Sequence, residues 1–201
     1  MSVLAHHRHA QPVRHTRECL GLLLKVLNEH DPGILEDLNR MGHLASDTAR
    51  SLGLDEREAE RIELAARLHD VGKLAIPDAI LEKPAALDAQ EWEVMRSHPE
   101  IGARIVAAAP SLAHVADLIR SHHERHDGTG YPDGLKGEEI PTSAAIISVC
   151  AAFVAMMRHR PYSDAITVEE AMAELRRCAG TQFHPAVVAA FCRTFEASAR
   201  L

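Results

Sequence analysis

The chain has 201 residues, of which 46% are apolar and 25% charged, and its formal net charge is −7. That length and balance suit a soluble globular protein with a buried core, and an acidic chain without a basic stripe argues against nucleic acid as a partner. Aromatic residues make up only 3%, so Leu, Ile, Val and Ala must form the core. A chain rich in Ala, Leu, Arg and Glu favours helix over strand.

The leader carries His6, His7, His9 and His15, read as a solvated polar tail rather than a chelating site. "HTRECLGLLLKVLNEHD" predicts a helix from His15 that Pro32-Gly33 stops. Its apolar run is too short to span a bilayer and holds Lys25, and no signal peptide is recognisable, so a cytoplasmic chain that does not engage a membrane is expected. Residues 1–33 are read as a leader and helix, and 34–201 as the domain proper.

"ILEDLNRMGHLASDTARSLGL" repeats apolar positions at Leu38, Met41, Leu44, Ala45, Thr48 and Leu52, a helical face ended by Gly53. Asp55 with Glu58, Asp88 with Glu91, and Thr167 with Glu170 have capping-box spacing and predict three helix starts. "SLAHVADLIRSHH" predicts a helix running into a turn rich in glycine, and "TSAAIISVCAAFVAMMRHR" a central buried helix. A last helix follows Pro185. No segment has the period of a strand, so the expected fold is an all-α bundle. Cys19, Cys150, Cys178 and Cys192 are scattered without a C-x-x-C pair and read as small buried hydrophobes in a reducing compartment.

Three groups of residues carry metal-binding chemistry. His69-Asp70 ends an amphipathic helix and is followed by Gly72 and Lys73; His98 lies in "MRSHPEIG"; His122-His123 closes another helix. Imidazole and carboxylate together suit first-row transition metals, and a carboxylate can bridge two ions. Each group alone has a structural explanation as a cap or a satisfied core histidine. Histidines that close apolar helices are costly to bury without partners, and helices converging in a bundle can assemble such a site. The residues by themselves leave both readings open.

The order "LHDVGKLAIPDAILEKPAALDAQEWEVMRSHPEIGARIV", then "HHERHDGTGYPDGLKGEEIP", then "RPYS" resembles the HD-GYP family, within the HD superfamily of metal-dependent phosphohydrolases. The resemblance runs from about Leu35 to the C-terminus. It implies an HD-superfamily helical bundle and a divalent metal centre, with iron or manganese favoured and zinc or nickel as alternatives. The reaction it implies is hydrolysis of cyclic di-GMP. It also implies that His69, Asp70, His98, His122 and His123 are metal ligands, Asp70 bridging. Asp70 and Lys73 take the catalytic roles, Lys73 meeting the scissile phosphate. Gly130, Tyr131 and Pro132 border the substrate, and Arg160 binds phosphate.

The chain departs from the family pattern at the metal centre. Asp37 stands where the first ligand histidine is expected, Gly33 where a glutamate helps hold a third ion, and Ala151 where a late ligand aspartate is expected. Val154 occupies a second acidic position, and Ser163 replaces a basic residue that many members carry. One or two ions per chain are therefore expected, with Asp37 as a substitute ligand. The expected function is a metal-dependent phosphodiesterase-like domain in cyclic di-GMP signalling, weakened by the changes at Asp37 and Ala151. The alternatives are a catalytically silent signalling module that binds a nucleotide, a metal or a protein partner through the Gly130-Tyr131-Pro132 loop, and a hydrolase of another small phosphoester.

Overall fold

The fold is taken from a computed structural model, which describes residues 4–158 and 165–198, with side chains from residue 15 onward. Ten α-helices follow one another: α1 (Leu4–His30), α2 (Ile34–Ser51), α3 (Glu56–Leu68), α4 (Asp78–Leu81), α5 (Ala89–Arg96), α6 (His98–Ala107), α7 (Ala116–Ser121), α8 (Thr142–Met157), α9 (Val168–Arg177) and α10 (Pro185–Ser198). Short 3₁₀ turns occupy Val71–Ala75, Ala113–Val115 and Gly137–Glu139. Among the described residues the only β feature is an isolated bridge between Ala179 and Phe183, and no helix is long and apolar enough to cross a membrane.

The all-α expectation holds, and local chemistry explains most boundaries. Asp88 with Glu91 and Thr167 with Glu170 form both halves of a capping box at the starts of α5 and α9. Asp55 forms one half only: its carboxylate accepts from the Glu58 amide at 2.8 Å. The Glu58 carboxylate is engaged elsewhere, accepting from Arg61 at 2.9 Å and from the Ser143 hydroxyl at 2.6 Å. That hydroxyl contact ties α3 to α8. Helix α1 starts at Leu4 rather than His15, in a stretch where Ala5, Arg8, Ala10 and Gln11 are good helix formers.

Helix α8 is the central element. Ile146, Ile147, Val149, Cys150 and Phe153 are fully buried, and the helix packs on α2, α3, α7, α9 and α10. On α2, Leu38, Met41, Ala45, Thr48 and Ala49 are buried, while Leu44 and Leu52 pack at the edge of the core. With few aromatics to spend, the chain groups three of its phenylalanines. The Phe153 ring lies 5.0 Å from Phe191 and 4.9 Å from Phe195, in the tilted and edge-to-face arrangements that aromatic pairs prefer. Leu27 of α1 is buried, and Leu20, Leu23 and Leu24 pack against the same core. The four cysteines are unpaired, three of them buried. Helix α3, the turn at Val71–Ala75, α6 and α7 pack together on one side of the bundle.

Phe153→Ala should cost about 3–5 kcal/mol of stability, the range for emptying a buried aromatic site. Urea unfolding followed by circular dichroism measures it.

Candidate metal centre

Three histidines follow the last turn of a helix: His69 after α3, His122 after α7, and His98, which opens α6 two residues past the end of α5. The final carbonyls of a helix lack an internal partner, and each histidine reaches back to one of them. The distances are 2.8 Å from His69 Nδ1 to the Ala66 carbonyl, 2.8 Å from His98 Nδ1 to Met95, and 2.7 Å from His122 Nδ1 to Ile119. A carbonyl only accepts, so Nδ1 carries the proton in all three rings. In the neutral form of such a ring the lone pair lies at Nε2. Metal-ligating histidines are commonly oriented by this kind of contact.

The lone pairs converge on Asp70. Its Oδ2 lies 3.0 Å from His69 Nε2, and its Oδ1 lies 3.3 Å from His98 Nε2. His98 Nε2, His122 Nε2 and Asp70 Oδ1 are buried with no hydrogen-bond partner. Acceptors packed against acceptors out of water are costly. A cation between them removes the conflict. Asp70, His98, His122 and His123 can each offer a ligand atom, all within 4.8 Å of one another. His69 borders this group through Asp70, and its ring lies 5.1 Å from that of His122. The residues therefore fit a divalent ion.

Electrostatics agree with that arrangement. Burial pushes the His122 imidazole well down, and neighbouring His123 adds to the effect. Burial also depresses His123, to about 3. Both rings are thus held neutral, the state that binds metal. Lys73 donates to Asp70 Oδ2 at 2.7 Å, so its ammonium group stands at the edge of the cluster.

The turn that holds Asp70 depends on a missing side chain. A Cβ at Gly72 would lie 1.9 Å from the His98 carbonyl oxygen and 2.6 Å from the Gly102 amide. Only glycine lets the 3₁₀ turn press against the start of α6, which brings Asp70 to His98.

The loop of Gly130, Tyr131 and Pro132 lies beside the cluster. The Tyr131 ring stacks on His123 at 4.8 Å with the planes 17° apart, and burial raises its hydroxyl above the usual phenol range. The Tyr131–Pro132 bond is cis. Gly130 is another close approach, where a Cβ would sit 2.3 Å from the Arg125 amide. The residue that holds the loop is Glu124. It is 3% exposed, and its two carboxylate oxygens accept from the Asp133 amide at 2.7 Å and the Leu135 amide at 3.0 Å. Sequence reasoning missed Glu124, although a carboxylate set between a His pair and a glycine turn was the available cue. Arg120 adds a second tie, donating to Asp133 at 2.7 and 2.9 Å and to Glu100 at 2.7 Å.

One expected ligand, Asp37, and the substituted position Ala151 stand apart from this group. Asp37 faces Arg158, with 3.4 Å between Oδ2 and Nε, and Arg158 also donates to Asp31 at 2.7 Å. Ala151 packs as a methyl group against the core. Arg160 lies outside the described residues.

Residues 21–187 match the family described as HD domain. The chain is 44% identical over 179 residues to the cyclic di-GMP phosphodiesterase response regulator RpfG of Xanthomonas campestris, a match covering 88% of this chain and 47% of that protein. It is 41% identical over 174 residues to a cyclic di-GMP phosphodiesterase of Thermotoga maritima, covering 85% and 47%. Among solved structures, an HDG"Y"P protein from Bdellovibrio bacteriovorus superposes with a TM-score of 0.66 at 20% identity, covering 83% of this chain and 53% of that one. The chain thus spans about half the length of the curated relatives it matches.

Two predictions come from this geometry. Glu124→Gln leaves a loop amide without its acceptor, and should cost about 1–3 kcal/mol with faster hydrogen exchange at the Asp133 and Leu135 amides. The second concerns pH. Near pH 6.5, the ordinary histidine value, the unfolded chain begins to take up protons that His122 and His123 refuse when folded. Metal-free protein should therefore lose stability as pH falls from about 6.5 towards 3. His123→Gln should flatten the slope in thermal melts taken across that range.

Proposed function

The chain belongs to the HD domain family, and from that premise we propose that it is a metal-dependent phosphodiesterase acting on a cyclic dinucleotide, cyclic di-GMP first among candidates. The observation that carries the reading is the set of three buried, unpartnered acceptors on Asp70, His98 and His122, which a cation would satisfy. The names of the two relatives support the substrate class.

Asp70, His98, His122 and His123 would hold the principal ion. His69, on the far side of Asp70, is the donor available to a second. Nitrogen and carboxylate donors without a thiolate suit iron or manganese, with zinc or nickel as alternatives. A divalent ion bound there supplies Lewis acidity towards a phosphoryl oxygen and towards water. The Lys73 ammonium offsets negative charge that gathers on the phosphoryl oxygens, and Arg160 shares that role. Tyr131, fixed against His123, presents a ring face to the nucleotide. Gly130 and Pro132 shape the loop around it.

The second ion is the weak point. Ala151 offers no donor, and Asp37 is engaged by Arg158, so activity is weakened relative to a complete binuclear site. Loss of far smaller supports costs roughly 10–100-fold in affinity or activity. A silent module that binds nucleotide, or a partner at the Gly130-Tyr131-Pro132 loop, is the reading that remains if hydrolysis is absent. The four unpaired cysteines support a cytoplasmic setting.

Elemental analysis with a cyclic di-GMP turnover assay tests the proposal. About one ion per chain and slow hydrolysis are expected, both lost in His98→Ala. The double variant Asp37→His with Ala151→Asp should gain metal and rate. A chain that binds no divalent metal and cleaves no cyclic dinucleotide would contradict the reading.

A further inference from the structure

We propose that Trp92 and Arg96, on α5, form a subsite beside the histidine cluster that takes a purine base and an adjoining phosphate of the nucleotide. The inference rests on the proposed function and names two residues to which neither the resemblance nor the metal centre gives a role. Trp92 and Arg96 are four residues apart, one turn of helix, and so share a face. The Arg96 guanidinium carbon lies 5.8 Å from the centre of the Trp92 ring and 5.6 Å from that of Tyr131. Tyr131 in turn stacks on His123, a member of the four-residue cluster. An unbroken run of rings and one cation therefore leads from the cluster to the surface.

Two features of that run point to a ligand. Trp92 is 45% exposed, the only tryptophan in a chain with few aromatics. A half-bare indole face is a stacking platform for a base. Arg96 is exposed and makes no ion pair or hydrogen bond among the described residues. A guanidinium lying over two rings has N–H groups to spare for an anion, and its planar fork matches a phosphate. Base and phosphate are the two things a nucleotide offers side by side. A protein-docking patch is the weaker fit, because the other exposed large apolar residue of α5, Val94 at 38%, lies two positions from Trp92, about 200° round the helix.

Trp92 reports on its own environment, so fluorescence tests the subsite without requiring turnover. The chain is titrated with cyclic di-GMP and separately with GMP, and calorimetry measures affinity. Both nucleotides should quench the emission. Trp92→Ala and Arg96→Ala should each weaken cyclic di-GMP binding roughly tenfold, while Trp92→Phe retains most of it. Metal content and melting temperature should stay unchanged in all three. Where turnover is measurable, KM should rise and kcat hold, because neither residue touches the reacting bond. If wild type binds or cleaves cyclic di-GMP without quenching and the alanine variants bind as tightly, the subsite is wrong and the proposed function stands. If GMP quenches Trp92 and Arg96→Ala weakens that response, while cyclic di-GMP is neither bound nor cleaved, the subsite stands and the substrate assignment falls. If neither nucleotide binds, both are overturned.

Discussion

A histidine placed just after a helix can spend one ring nitrogen on a carbonyl that the helix leaves open. Here that bond forms three times, at His69, His98 and His122, each with the carbonyl three residues earlier. Its direct effect is local, since it satisfies an orphaned backbone group. Its larger effect is on the other nitrogen, which is left as a lone pair and turned inward. The ends of α3, α5 and α7 thereby become a donor set around Asp70.

The rest of this side of the bundle keeps those three helix ends together. Gly72 admits the start of α6 to van der Waals contact with the turn carrying Asp70. Glu124 is spent entirely on loop amides and so fixes the position of Tyr131 against His123. Arg120 joins the same loop to α6. The clustered imidazoles of His69, His98 and His122 come from helix ends, and Tyr131 from a loop pinned by one buried carboxylate.

Much of this was legible in the sequence, for identifiable reasons. Helical periods located α2 and α8, because burial on one face or all round writes itself into residue spacing. Motif order located Asp70, His98, His122, His123 and Tyr131. Spacing could not say which nitrogen of each ring carries the proton, because that depends on a carbonyl contact three residues away. Nor could it assign Glu58, whose spacing suggests a cap while its carboxylate binds Arg61 and Ser143. Asp37 is similar. Counting places it at a ligand position, whereas the fold gives it Arg158 as a counter-ion from a distant helix end. Long-range pairings of this kind have no local signature. Trp92 and Arg96 look ordinary in sequence, and only the ring contacts join them to Tyr131.

The most direct measurement is nitrogen NMR of the imidazole rings in metal-free protein at neutral pH, repeated after adding one equivalent of zinc. His69, His98 and His122 should show protonated Nδ1 and bare Nε2. Zinc should shift Nε2 of His98 and His122 while leaving each Nδ1–H in place. Protons found on Nε2 in these rings, or Nε2 resonances indifferent to zinc, would contradict a centre built from lone pairs oriented by helix-end carbonyls.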